Sequence, residues 1–342
     1  MSRQLLQRVD IAGVFSSSPR DHLEDLFVPF QQLTGVNVED RLAKLAQEGR
    51  RIAIVGPSGC GKSSLSSYVA RKDPFASIQI QVNSDPDVAR QEKLFGQHLV
   101  RAIGRWAQTF GAMDEEDLRR AKAETSDREE SPGRRSTTTA SGGASAGILK
   151  GDLGRELAQE ESKINQPIPT EEVAVVARRM LELVRYRKLT PIVVIDDSDR
   201  WLSDADQETI TIFFGKVMRW VADLGASMIV AVHERYRRSP GYKQARGDGW
   251  LEEELWIPSL NDPKQLREIL NKRVERAIGH QITAIAEVEA IDELFAYYIG
   301  EAGSSLRKTL TVAQDAVRQA VQDSDAERIT AAAARAAISG FI

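Results

Sequence analysis

The sequence predicts an α/β protein: a parallel five-stranded sheet flanked by helices, followed by a region built of helices alone. Three observations carry that prediction. Short apolar runs such as "RRIAIV", "PIVVI" and "SMIVAV" alternate with helical patterns, and after "ELWIP" only helical patterns remain. One run leads straight into a glycine- and serine-rich turn, "GPSGCGKSS". Another ends in crowded carboxylates, "PIVVIDDSDRW", an arrangement that a buried strand tolerates only with something positive beside it.

Taken in order, "VNVEDRLAKLAQ" reads as a helix before the strand "RRIAIV", and "LSSYVARK" as the helix after the turn. "ASIQIQVN", Ala76 to Asn83, alternates apolar and polar residues and reads as a strand near a sheet edge. "DVARQEKLFGQHLVRAIGRWAQTF" has the spacing of a long helix. From 113 to 166 the chain is charged or small, with "SPGRRSTTTASGGASAG" at its centre, and reads as a polar, mobile insertion. Order returns at "TEEVAVVARRMLELVRYRK", where Thr170 and its glutamates resemble a helix start. The strand "PIVVI", the helix "DQETITIFFGKVMRWVADLG", the strand "SMIVAV" and the short strand "ELWIP" follow. Four helical patterns then close the chain. The division expected is an N-terminal segment at 1–35, a core at 36–260 and a helical lid domain at 261–342.

Composition bounds the function. The 342 residues are 42% hydrophobic and 28% charged with a net charge of −4, which excludes nucleic-acid binding by bulk charge and leaves only a local basic surface for it. One cysteine excludes an internal disulfide, and the four histidines lack metal-ligand spacing. No apolar run approaches the roughly 20 residues of a membrane span, and "MSRQLLQRVDIAGVFSSS" has no signal-peptide segment, so the expected location is cytoplasmic.

Gly56 to Ser63 fits G-x-x-x-x-G-K-[ST], between a buried strand and a helix. The stretch Gly56, Pro57, Ser58, Gly59, Cys60, Gly61, Lys62, Ser63 and Ser64 is therefore a nucleotide cradle. Its glycines turn backbone N–H groups toward a phosphate, and a helix N-terminus adds partial positive charge. Lys62 reaches the β- and γ-phosphates, and the Ser63 hydroxyl ligates Mg²⁺. Asp196, ending a strand of the same sheet, faces the loop and holds Mg²⁺ through water. Asp197 takes the place where hydrolysing relatives often carry glutamate. It is one methylene shorter, about 1.5 Å, which predicts slow turnover.

With "GPSGCGKSS" and "VVIDDSDR" in place, the chain resembles the AAA+ P-loop ATPases, specifically the origin-recognition and initiator branch with its transposition-regulator-like members. The motif "IDDSDR" is also similar to the KAP and STAND groups of P-loop ATPases. The resemblance implies that "SMIVAV" lies between the two motif strands and ends in a polar sensor, His233 or Glu234. It implies that "GSSLRKTL" carries a second sensor, Arg307, in the lid. It further implies ATP between the subunits of a homo-oligomer, with an arginine finger supplied in trans by Arg246, Arg235, Arg237 or Arg238. Arg200 pairs with Asp199 or Asp204. ATP and Mg²⁺ are the implied cofactors. The implied function is a slowly hydrolysing, nucleotide-dependent assembly switch acting on DNA or on an effector, nuclease or transposase partner, with no membrane. The alternative is an ATPase or sensor subunit of a phage-defence complex gating a separate effector. Basic helical faces in "ARRMLELVRYRK" and "KQLREILNKRVER" are the local surfaces a DNA contact would use.

Overall fold

The computed structural model describes residues 2–15, 26–72, 74–81, 90–109, 170–186, 188–196, 207–323 and 326–341. Its centre is a five-stranded, wholly parallel sheet of order β2-β3-β4-β1-β5. The strands are β1 (Arg51–Gly56), β2 (Phe75–Gln81), β3 (Thr190–Asp196), β4 (Ser227–His233) and β5 (Glu253–Trp256). β4 lies between the two motif strands, as the resemblance implied, and β2 takes an outer edge.

Both faces of the sheet are covered, so its strands read as continuous apolar runs rather than as alternation. In β1, Ile52 and Ile54 join Leu42 of α3 (Val38–Gln47) and Leu65 and Val69 of α4 (Lys62–Ala70) on one face. Ala53 and Val55 point to the other face, whose core includes Phe95 and Leu99 of α5 (Glu92–Thr109) and Leu181 of α6 (Thr170–Tyr186). The same core takes in the helical stretch before β4: α7 (Gln207–Ile212), a π-turn (Phe213–Val217) and α8 (Met218–Ala222). The sequence pattern predicts one uninterrupted helix there. The π-turn turns Phe213, Phe214 and Val217 into the core together. Beside it, α9 (Pro240–Gly247) approaches so closely that a Cβ on Gly241 would lie 2.4 Å from the Thr211 carbonyl oxygen.

Beyond β5 the chain forms α10 (Pro263–Ile278), α11 (Val288–Ile299), α12 (Leu306–Gln322) and α13 (Ala331–Phe341). α10 starts with Pro263 at its first turn. The Asp262 side chain accepts from Lys264 N at 2.8 Å, and the Gln265 side-chain Oε1 accepts from Asp262 N at 3.2 Å. Gln265 also donates to the Leu33 carbonyl at 2.6 Å, fixing α10 to α2 (Phe30–Thr34).

The first helix, α1 (Ser2–Ala12), shares the core of these C-terminal helices: Leu5, Leu6, Val9, Val14 and Phe15 pack with Leu266, Leu270 and Val317. Buried Gln314 accepts from Phe15 N at 3.0 Å and donates to Asp10 at 3.1 Å. The bundle is thus closed by the two ends of the chain, a non-local pairing that helical periodicity leaves open. Among the described residues, no helix is long and apolar enough to cross a membrane.

Candidate phosphate-binding site

β1 ends at Gly56, and the loop turns through left-handed backbone at Gly59 (φ +77) and Gly61 (φ +108) before α4 begins at Lys62. Only glycine adopts such values without strain. Contact closes the loop further, since a Cβ on Gly56 would lie 2.6 Å from Cys60 Sγ. Lys62 is buried, and its ammonium donates to the carbonyls of Gly56 at 3.0 Å and Pro57 at 2.8 Å. A cation is therefore held against the loop itself, within reach of a phosphate seated there.

Ser63 Oγ donates to Asp196 Oδ1 at 2.9 Å, joining the two motifs at the carboxyl ends of β1 and β3. A hydroxyl and a carboxylate so close are the hard oxygen donors that Mg²⁺ prefers. Among the described residues no group of three or more His, Cys, Asp or Glu could hold a metal. The two oxygens thus suit a cation that draws its other ligands from water and phosphate.

His233 stands opposite Gly56 in the sheet register and is buried, the position implied for a sensor. Its Nδ1 accepts from Arg235 N at 3.2 Å, capping the short 3₁₀ turn at Glu234–Arg238, so the neutral ring carries its proton on Nε2. Glu234 is exposed.

The helical bundle touches the loop. The backbone N–H of Arg307 donates to the Gly59 carbonyl at 3.2 Å, and a Cβ on Gly59 would lie 2.5 Å from Ser305 Oγ and 2.7 Å from Arg307 Cβ. Ser305 caps α12, accepting from Lys308 N. The Arg307 side chain is exposed beside the loop, so the firm link is made by backbone.

The arginines named as fingers lie elsewhere. Glu254 gathers two of them: Arg237 Nη2 at 3.2 Å and Arg246 Nε at 3.8 Å, with Tyr242 donating at 2.8 Å. Arg246 also donates to the Leu251 carbonyl at 2.7 Å, and Arg237 lies over the Trp256 ring. Burial pushes the Glu254 carboxyl up, but hydrogen bonds from Tyr242 and Arg237 and the charges of Arg237 and Arg246 outweigh it and hold the group low. The Tyr242 phenol is raised far above its usual range, by burial first and then by Glu254. Arg235 and Arg238 are exposed on the 3₁₀ turn.

Asp197, Asp199, Arg200 and Asp204, and the insertion at 113–166, lie outside the described residues. Of the basic faces, Arg178 donates to the Asp223 carbonyl at 3.1 Å and Arg185 to the Gly225 carbonyl. Both close the turn that follows α8, and Arg273 is buried.

Behind the loop lies a feature that no motif signals. A groove partly open to solvent is walled by Phe27, Phe30, Leu260, Ile269 and Tyr298 and reaches Cys60, Gly61 and Ser64. Arg273 also lines it; burial pulls its guanidinium down to about 10. The residues come from segments far apart in sequence, and only their apolar character was visible there.

Comparison with known proteins agrees with this geometry. A family model described as ABC transporter matches residues 42–188, the stretch that holds the phosphate loop. Gas vesicle ATPase GvpN1 of Halobacterium salinarum is 38% identical over 74 residues, 20% of this chain and 20% of that protein. The chain thus matches about a fifth of the length of that curated relative. The parallel sheet, the phosphate loop and the family match are those of a P-loop NTPase fold.

Proposed function

We propose that the chain is a slowly hydrolysing ATPase that works as a nucleotide-dependent switch, ATP and Mg²⁺ binding between the sheet domain and the helical bundle. The observation that carries this reading is the bond from Arg307 N to the Gly59 carbonyl. It ties the first turn of α12 to the loop that would wrap the phosphates, so a change in that loop moves the bundle. ATP selects one arrangement only if it binds that arrangement more tightly than the other.

Each side chain has a part. Lys62 would contact phosphate oxygens, and the Ser63 hydroxyl and the Asp196 carboxylate would hold the divalent ion. When bound, that ion neutralises charge on the β- and γ-phosphates. His233, opposite Gly56, presents its Nε2 proton as a donor in the sensor position, and Asp197 orients water. The short reach of Asp197 supports slow turnover. A relative whose printed name is an ATPase supports the hydrolytic half of the reading.

In this proposal the assembled state is a homo-oligomer with an arginine supplied in trans. Arg237 and Arg246 suit that role because Glu254 and Leu251 hold them in place on their own subunit. A DNA-associated or effector partner then responds to the assembly. The test measures mass by light scattering, and phosphate release, with ATP, ADP and DNA. ATP-dependent growth in mass with slow phosphate release is expected; a monomer under all conditions overturns the assembly step.

A further inference from the structure

Arg273 is a buried cation that pairs with no carboxylate among the described residues. It is 8% exposed, its Nη1 donates to the Val14 carbonyl at 3.2 Å, and its Nε is buried with no hydrogen-bond partner. A guanidinium removed from water is costly unless its donors are met. A single backbone carbonyl does not meet that need, and nothing in the packing of α10 demands arginine there. Leu266, Ile269, Leu270 and Val274 around it already form the apolar face. Its place is informative, because it lines the apolar cavity that runs up to Cys60, Gly61 and Ser64. A flat, largely apolar ligand with hydrogen-bond acceptors on its rim would satisfy walls and guanidinium together.

We propose that Arg273 is the base-reading residue of the nucleotide site: with the purine between Phe27, Phe30, Ile269 and Tyr298, its guanidinium donates a hydrogen bond to a ring nitrogen. The proposal rests on the reading of the loop as a triphosphate site and adds to it the group that distinguishes a nucleotide from a bare triphosphate. Arg273 also bonds the segment following α1, so an occupied cavity and a seated N-terminal helix share one side chain.

The test compares binding of ATP and of inorganic triphosphate, both with Mg²⁺, to wild type and to Arg273→Met. Loss of a charged hydrogen bond to the base predicts ATP binding about tenfold or more weaker. Triphosphate binding stays the same. If Arg273 only fastened the N-terminal helix, the melting temperature would drop and both ligands would weaken together; that result, or no change with either, overturns the proposal. Should Arg273→Met not fold, 1-, 3- and 7-deaza-ATP on wild type decide it. One of the three binds about tenfold more weakly than ATP. Arg273→Lys, which keeps a buried cation, erases that difference, and three equal affinities on wild type overturn the proposal. Wild type that binds neither ATP nor triphosphate refutes the phosphate site itself, whereas equal binding of both by every variant refutes the base-reading role alone.

Discussion

The two halves of the cleft are built in different ways. The phosphate half comes from consecutive residues and backbone: Gly56 to Ser64 make a loop whose shape follows from glycines at positive φ, completed by one carboxylate from β3. The cavity half is assembled from side chains at residues 26–33, 258–273 and 298–306, brought together only when the bundle docks. In the proposed reading, phosphate binding is therefore a local property of sequence, whereas discrimination between ligands is a property of tertiary structure. The first half needs the sheet; the second needs sheet, bundle and the N-terminal segment in register.

Lys62→Met breaks the phosphate half and has the largest expected effect. The buried ammonium supplies charge-assisted hydrogen bonds, so ATP and inorganic triphosphate both bind on the order of a hundredfold more weakly, as read by calorimetry. If ATP alone weakens, the division between the halves is drawn in the wrong place.

Gly59→Ala strikes the seam between them. The added methyl meets Ser305 and Arg307 below contact distance, and φ +77 is strained for alanine. The bundle is pushed off the loop, opening the cavity. ATP binding should weaken by about tenfold, with a smaller loss for triphosphate. Proteolysis should also cut the chain near Pro258 faster, since that residue lines the cavity where the two parts meet. Equal losses for both ligands would place the damage in the loop alone.

Cys60 sharpens the comparison without mutation. Its side chain rests against Gly56 and lines the cavity. ATP is expected to slow its alkylation several-fold, read by mass spectrometry, and triphosphate to slow it less because it leaves the cavity half open. Equal labelling with and without ATP counts against the site as described.

The uneven legibility of the chain has the same origin. β1, β3 and β4 are buried on both faces, so their apolar runs announce them, and the loop motif carries its geometry in its glycines. Asp196 was readable because it ends such a run, and its contact with Ser63 follows from strand order. Nothing in α1 indicated that Leu6 and Val9 would pack against α10 and α12, because an amphipathic face names no partner. Arg273 read as one cation in a basic helical face, since periodicity cannot separate an arginine turned inward from its solvated neighbours. Arg178 and Arg185, in a stretch that suggested a surface for DNA, instead close a turn of their own chain.

Glu254 lies outside both halves and carries the smallest expected effect, on stability alone. Its carboxylate accepts from Tyr242 and is paired by Arg237 and Arg246, and its acidity is raised as a result. A carboxyl with a depressed folded-state pKa stabilises the fold above its unfolded value, near 4.3, and that contribution is lost as pH falls through the lower folded value. Glu254→Gln should therefore lower the melting temperature at pH 7 by about 1–2 °C, the equivalent of roughly 1 kcal/mol in a chain of this size. The gap should close progressively below about pH 4, where the wild-type carboxyl takes up its proton. Monomer affinity for ATP and for triphosphate should stay unchanged. A gap that persists into acid would assign the loss to the Tyr242 hydrogen bond and local packing. A change in ATP affinity would tie the arginine cluster to the cleft within a single subunit, making Arg237 and Arg246 partners of their own nucleotide rather than of a neighbour's.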